Sequence, residues 1–163
     1  MSGVALAASA PNRLRQVVGA SLALAAVESA GAPPTGVDGT MYRSLTWGVT
    51  IAVDAKGGEE LWRFDPEVPG EWGRYGCCDV VNRGPIYSDG KVFFNTLDAH
   101  TIAVDAETGE EVWRTKMGEI QMGETMTMAP LIAGDKVIVG NSGGEMGVRG
   151  WAAALDQSSG EVV

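Results

Sequence analysis

The stretch "AVDAETGEEVW" (Ala103 to Trp113) decides how this chain folds, because it occurs in three versions. "AVDAKGGEELW" (Ala52 to Trp62) precedes it and "ALDQSSGEVV" (Ala154 to Val163) follows it, and Asp54, Asp105 and Asp156 stand 51 residues apart each time. A second set lies upstream of each copy: "VDGTMY" (Val37 to Tyr42), "SDGKVFF" (Ser88 to Phe94) and "AGDKVIV" (Ala133 to Val139). Met41 to Val92 is again 51 residues, whereas Val92 to Val137 is 45, and the missing six return beyond that strand in "NSGGEMGVRG" (Asn141 to Gly150). One loop has grown inside an otherwise constant unit. Self-similarity at a period of about 50 residues marks a repeat architecture.

Each unit reads as short strands joined by tight turns. In "GKVFFNTLDAHTIAVDAETGEEVWRT" the apolar runs VFF, TIAV and EEVW are broken by Asp-Ala and Glu-Thr-Gly, residues that tolerate the positive φ of hairpin turns. The expected fold is therefore all-β: a β-propeller of four-stranded antiparallel blades. Trp62 and Trp113, at one phase of the repeat, are expected to fill the gap between stacked sheets rather than to bind a ligand. Asp54, Asp105 and Asp156 read as turn residues rather than catalytic ones, and His100, the lone histidine, as a hairpin residue rather than a metal ligand. Residues 37–163 amount to roughly two and a half blades, and a propeller closes with about four to eight, so further blades of the same propeller are expected as partners.

Composition sets the outer bounds. A chain of 163 residues, 45% hydrophobic and with 23 glycines, suits one turn-rich β domain. A net charge of −9, with scattered Lys and Arg, excludes nucleic acid as a partner, because counterion-driven binding needs a basic face. Residues 1–36 form a separate N-terminal segment. Arg13 and Arg15 precede the apolar run "VVGASLALAAV" (Val17 to Val27), the layout of an export signal, although Glu28 spoils the cleavage site; the alternative is a partly helical or disordered tail.

The only two cysteines, Cys77 and Cys78, are neighbours within "GRYGCCDVVNRG" (Gly73 to Gly84). A disulfide between them closes a loop with no intervening residue and so stabilises nothing by entropy. Neighbouring Cα atoms lie about 3.8 Å apart, below the usual disulfide range of about 4.4–6.8 Å, so the ring is strained. Strain of that kind points to a functional site. Two free thiols are the alternative.

With the repeat and the cysteine pair together, the chain resembles the quinoprotein alcohol dehydrogenases, the family that includes the methanol and ethanol dehydrogenases. The resemblance rests on "VDAKGGEELWRFDPEVPGEWGRYGCCDVVNRG" (Val53 to Gly84), "LDAHTIAVDAETGEEVW" (Leu97 to Trp113) and "GETMTMAPLIAGDKVIVGNSGGEMGVRGWAAALD" (Gly123 to Asp156). It implies an eight-bladed periplasmic propeller that oxidises primary alcohols with pyrroloquinoline quinone and a calcium or lanthanide ion, passes electrons to a cytochrome c and in some members forms a homodimer. It further implies that Cys77 and Cys78 form a disulfide lying flat on the quinone, and that Arg83 grips a quinone carboxylate. Thr127 and Ser142 would donate hydroxyls to the cofactor, Gly143 and Gly144 would bring backbone close to it, and Glu145 would ligate the metal. A flat tricarboxylate suits a forked guanidinium and fixed hydroxyls, and a hard cation suits a carboxylate.

Two departures from the family pattern stand out. A cofactor-contacting Glu is expected before the first "DG" strand, where this chain has Gly31 in "GAPPTGVDG" (Gly31 to Gly39). The family's catalytic Asp, its other metal ligands, the tryptophan on the quinone's second face and the arginine at the reactive carbonyl belong to later blades. No catalytic residue is therefore assigned within 1–163, and a partial chain, inactive alone, is expected. The rival reading is a non-catalytic propeller scaffold of the outer-membrane assembly type, which would have no use for adjacent cysteines or for "NSGGEMGVRG".

Overall fold

A computed structural model describes residues 33–163. The N-terminal run Val17 to Val27 and Gly31 lie outside the described residues. Three antiparallel sheets follow one another along the chain. The first holds β1 (Thr35–Val37), β2 (Thr40–Ser44), β3 (Thr50–Asp54) and β4 (Glu60–Phe64), in that order. The second holds β5 (Ile86–Ser88), β6 (Lys91–Asn95), β7 (His100–Asp105) and β8 (Glu111–Lys116). The third holds β9 (Leu131–Ala133), β10 (Lys136–Gly140) and β11 (Ala152–Asp156), and a bridge from Leu155 to Val162 falls where Val104 pairs with Glu111 one unit earlier. The four-stranded meander expected from the repeat is thus present, as successive blades.

The sequence period becomes a structural period at the turns. Asp54 Oδ1 accepts from the backbone N–H of Lys56 and Gly57, Asp105 Oδ1 from Glu107 and Thr108, and Asp156 Oδ1 from Ser158 and Ser159. The glycine that ends each turn sits at φ +76°, +76° and +72° (Gly58, Gly109 and Gly160), a region costly for any other residue. Each carboxyl is held below the ordinary carboxylate range, chiefly by the Gly57 N–H for Asp54, the Thr108 N–H for Asp105 and the Ser158 hydroxyl for Asp156. The aspartates are turn residues, as their phase predicts. His100 faces Asp98 at 3.2 Å within its own hairpin.

The blades pack through the repeated tryptophan. Trp62 Nε1 donates to the Ala106 carbonyl of the next blade at 3.0 Å, and Trp113 Nε1 to that of Gln157 at 3.1 Å. Each indole lies over the turn glycine of the following blade: a Cβ at Gly109 would meet the Trp62 ring at 2.7 Å, and one at Gly160 the Trp113 ring at 2.6 Å. The middle blade is buried on both faces. Val92, Phe94, Ile102 and Val104 pack toward the first blade, Phe93, Ala99 and Ala103 toward the third, and all seven are completely buried. "KVFFN" therefore reads as an unbroken apolar run and not as an alternation.

An antiparallel meander sends alternate connections to opposite ends of its sheet. The β1–β2 and β3–β4 turns and their repeats share one edge, while the β2–β3 and β4–β5 loops and their repeats share the other. The residues implicated by the family resemblance all fall on or next to the loops of that second edge.

Candidate functional site

The long loop between β4 and β5 contributes the cysteines. It contains a short 3-10 segment (Gly70–Tyr75), the Cys77–Cys78 pair, and Asp79 at φ 71°. Gly73 lets the loop close down: a Cβ there would meet the Trp47 indole at 3.1 Å. Trp47, in the β2–β3 loop, itself sits at φ 64°. Gly76 is required too, because a Cβ would lie 2.8 Å from the Asp79 carbonyl oxygen.

Arg83 reaches from this loop to the segment before β9. Its backbone N–H donates to the Thr127 carbonyl at 3.0 Å and its Nη1 to Thr127 Oγ1 at 2.6 Å. Thr127 Oγ1 lies 3.2 Å from Ser142 Oγ, and Ser142 N–H donates to the Thr125 carbonyl at 2.7 Å. The β10–β11 loop then turns at Gly143, whose φ of 111° and contact with the Gly123 carbonyl oxygen leave no room for a Cβ. Gly143 O accepts from the N–H groups of Met146 and Val148, closing the turn that carries Glu145 outward. Gly144 has open space where its Cβ would stand.

These segments converge on one cavity of about 160 Å³, lined by Gly76, Cys77, Cys78, Asp79, Val81, Arg83, Thr125, Thr127, Ser142 and Glu145. Cys77, Cys78, Arg83, Thr127, Ser142 and Glu145 are thus brought together from positions up to 68 residues apart. Gly143 and Gly144 shape the turn beside them rather than lining the wall. The cysteines stand here as two exposed thiols with sulfurs 2.8 Å apart, not as the expected disulfide. The Cys77 thiol is pushed up to about 11, first by its contact with Cys78, then by desolvation and by the Glu145 carboxylate.

The donor set fits one edge of a flat polyanionic ring system. Arg83 keeps guanidinium donors beyond the one committed to Thr127, Thr127 and Ser142 offer hydroxyls, and the glycine turn at Gly143 and Gly144 keeps side chains out of the way. The fit to a metal is narrower. Glu145 is one oxygen donor, and among the described residues no group of three or more His, Cys, Asp or Glu side chains is placed to hold an ion.

Sequence reasoning missed Asn82 and Trp47. Asn82 lies inside the quoted cysteine motif and is only 3% exposed, but nothing in a single sequence marks an asparagine as buried. Trp47 falls in the five-residue β2–β3 loop, whose counterpart between β6 and β7 has four residues and no tryptophan.

Comparison with known proteins comes from three directions. A family model described as outer membrane protein assembly factor BamB matches residues 7–163. The 1-butanol dehydrogenase (cytochrome c) of Thauera butanivorans is 46% identical over 129 residues, covering 78% of this chain and 19% of that protein. Among solved structures, a europium-containing methanol dehydrogenase matches with a TM-score of 0.76 and 44% identity, over 80% of this chain and 23% of that one. BamB from Moraxella catarrhalis shares the fold at a TM-score of 0.53 and 21% identity, over 81% of this chain and 34% of that one. The chain spans about a fifth of the length of the curated dehydrogenases it matches.

Proposed function

This chain belongs to the pyrroloquinoline quinone repeat family, among the quinoprotein alcohol dehydrogenases, and from that premise we propose that it forms one wall of the cofactor pocket of such an enzyme, acting on primary alcohols. The single observation that carries the reading is the convergence of Cys77, Cys78, Arg83, Thr127, Ser142 and Glu145 on one cavity. The scaffold reading has no use for that convergence, and its structural relative is matched at 21% identity against 44% for the methanol dehydrogenase.

In this reading Arg83, fixed by Thr127, holds a quinone carboxylate while Thr127 and Ser142 donate hydrogen bonds to its rim. Cys77 and Cys78, oxidised to a disulfide, present a flat apolar surface to one face of the ring and exclude water from it. Glu145 supplies one carboxylate oxygen to a calcium or lanthanide ion. The chemistry supplied by the bound quinone and metal is acceptance of a hydride equivalent from the alcohol at a polarised carbonyl. The proton acceptor for the alcohol and the remaining metal ligands come from further blades of the ring. The electron acceptor is a cytochrome c, as the name of the Thauera butanivorans relative suggests. The periplasmic location proposed for the enzyme follows the family resemblance, and Arg13, Arg15 and the apolar run Val17 to Val27 are in keeping with it as the layout of an export signal.

Titration of the purified chain with pyrroloquinoline quinone, followed by tryptophan quenching, tests the reading. Binding is expected to tighten on adding calcium or lanthanum, and Glu145→Gln is expected to abolish that tightening while leaving metal-free binding unchanged. Equal tightening in Glu145→Gln and the parent chain would remove Glu145 from the metal site, and no binding in either would remove the pocket.

A further inference from the structure

A buried chain of side-chain amides and hydroxyls links the first two blades to the segment that leads into the third. Ser44, at the end of β2, donates to Asn82 Oδ1 at 2.7 Å, and the Gly84 N–H donates to the same oxygen at 2.9 Å. Asn82 Nδ2 donates to the Asn95 carbonyl at the end of β6, at 2.6 Å. The Asn95 side chain continues the chain, accepting from Thr101 Oγ1 at 2.9 Å and donating from Nδ2 to the Met128 carbonyl at 3.0 Å. Ser44, Asn82, Asn95 and Thr101 are at most 3% exposed.

Asn82 makes these contacts from the position next to Arg83, and its Oδ1 bonds the N–H just beyond Arg83. The backbone on either side of Arg83 is therefore held by Asn82, while Met128, whose carbonyl accepts from Asn95, is the neighbour of the Thr127 that accepts from Arg83. A buried amide with no competing water exchanges such bonds only at the cost of a desolvated polar group. We propose that Asn82 is the positioning residue for Arg83: it sets the direction of the guanidinium by tying the Arg83 backbone to the first and second blades, and so determines how tightly the pocket grips an anionic carboxylate of its cofactor. The inference rests on the quinone reading for the ligand, but not for the positioning itself.

The test has two arms. In the first, amide hydrogen exchange is measured without ligand on the parent chain and on Asn82→Ala. Protection at Arg83 is expected to fall about tenfold, while the blade-core amides of Phe93 and Val104 keep theirs. In the second, the affinities of pyrroloquinoline quinone and of its trimethyl ester are compared. Asn82→Ala is expected to weaken the tricarboxylate about tenfold and leave the ester unchanged, and the double variant with Arg83→Ala is expected to lose no more than Arg83→Ala alone. Ser44→Ala, which removes one bond to Asn82 and none to Arg83 itself, is expected to cost about threefold on the tricarboxylate and covers the case in which Asn82→Ala does not fold. Unchanged Arg83 protection, equal losses for acid and ester, or additive losses in the double variant would each overturn the proposal. A parent chain that binds neither ligand, with protection still lost in Asn82→Ala, would overturn the quinone reading and leave the positioning standing.

Discussion

At one edge of the sheets three aspartate turns make the same bonds in the same order, with glycines at nearly the same φ. At the opposite edge no two loops agree. Five residues join β2 to β3, four join β6 to β7 and eleven join β10 to β11. At the turn edge each aspartate carboxylate is satisfied by N–H groups of its own turn, and the bonds to the next blade come from the same tryptophan at the same phase, so the sequence is held to one pattern. The loop edge satisfies its groups across blades, as Arg83 with Thr127 and Asn82 with Asn95 show, so each loop is free to differ and only the assembly defines them. A repeat scaffold thus keeps its chemistry where the repeat is broken.

The largest effect expected from disturbing this contrast lies at the blade interface that both edges depend on. Trp113→Ala removes a buried indole and its bond to Gln157, and should destabilise by about 3–5 kcal/mol, read from urea unfolding. A loss under about 1 kcal/mol would mean that the second interface does not hold the blades together. At the loop edge, Gly143→Ala places a side chain at φ 111° against the Gly123 carbonyl. It should cost about 1–3 kcal/mol and also weaken quinone binding, since the turn carrying Glu145 must shift. Binding unchanged in a destabilised variant would separate the turn from the site.

The smallest effect is expected at a single aspartate turn. Asp105→Ala should lower the melting temperature by only a few degrees near pH 7. The folded-state pKa of Asp105 is depressed, so its contribution is full above the unfolded value of about 3.9 and is lost as pH falls through the folded one. The difference in melting temperature between the parent chain and Asp105→Ala should therefore shrink below about pH 4. A difference that stays constant from pH 7 to pH 3 would show that the carboxylate charge plays no part in the turn.

The blades, their turns and the interfacial tryptophans were legible because a hairpin turn and a packing ring impose local demands, and the repeat shows each demand three times or twice. The cavity-lining residues were legible only through family resemblance. Composition and spacing alone leave Thr127 and Ser142 as ordinary strand-end hydroxyls. The pairing state of Cys77 and Cys78 differs from expectation, as two thiols stand where a disulfide was implied. Asn82 and Trp47 could not be read at all, since burial at 3% and a left-handed backbone at a tryptophan both arise from contacts with loops far away in sequence.

The sequence by itself determined a tandem of antiparallel blades, because short apolar runs and Asp-Gly turns specify backbone locally and a 51-residue repeat shows them again in the same order. Only the tertiary structure decided that Arg83 meets Thr127, that Thr127 meets Ser142, and that a buried asparagine ties them to the first two blades. Those contacts join loops of different blades. They exist only once stacking of the sheets has removed the water that would otherwise satisfy each of these groups on its own.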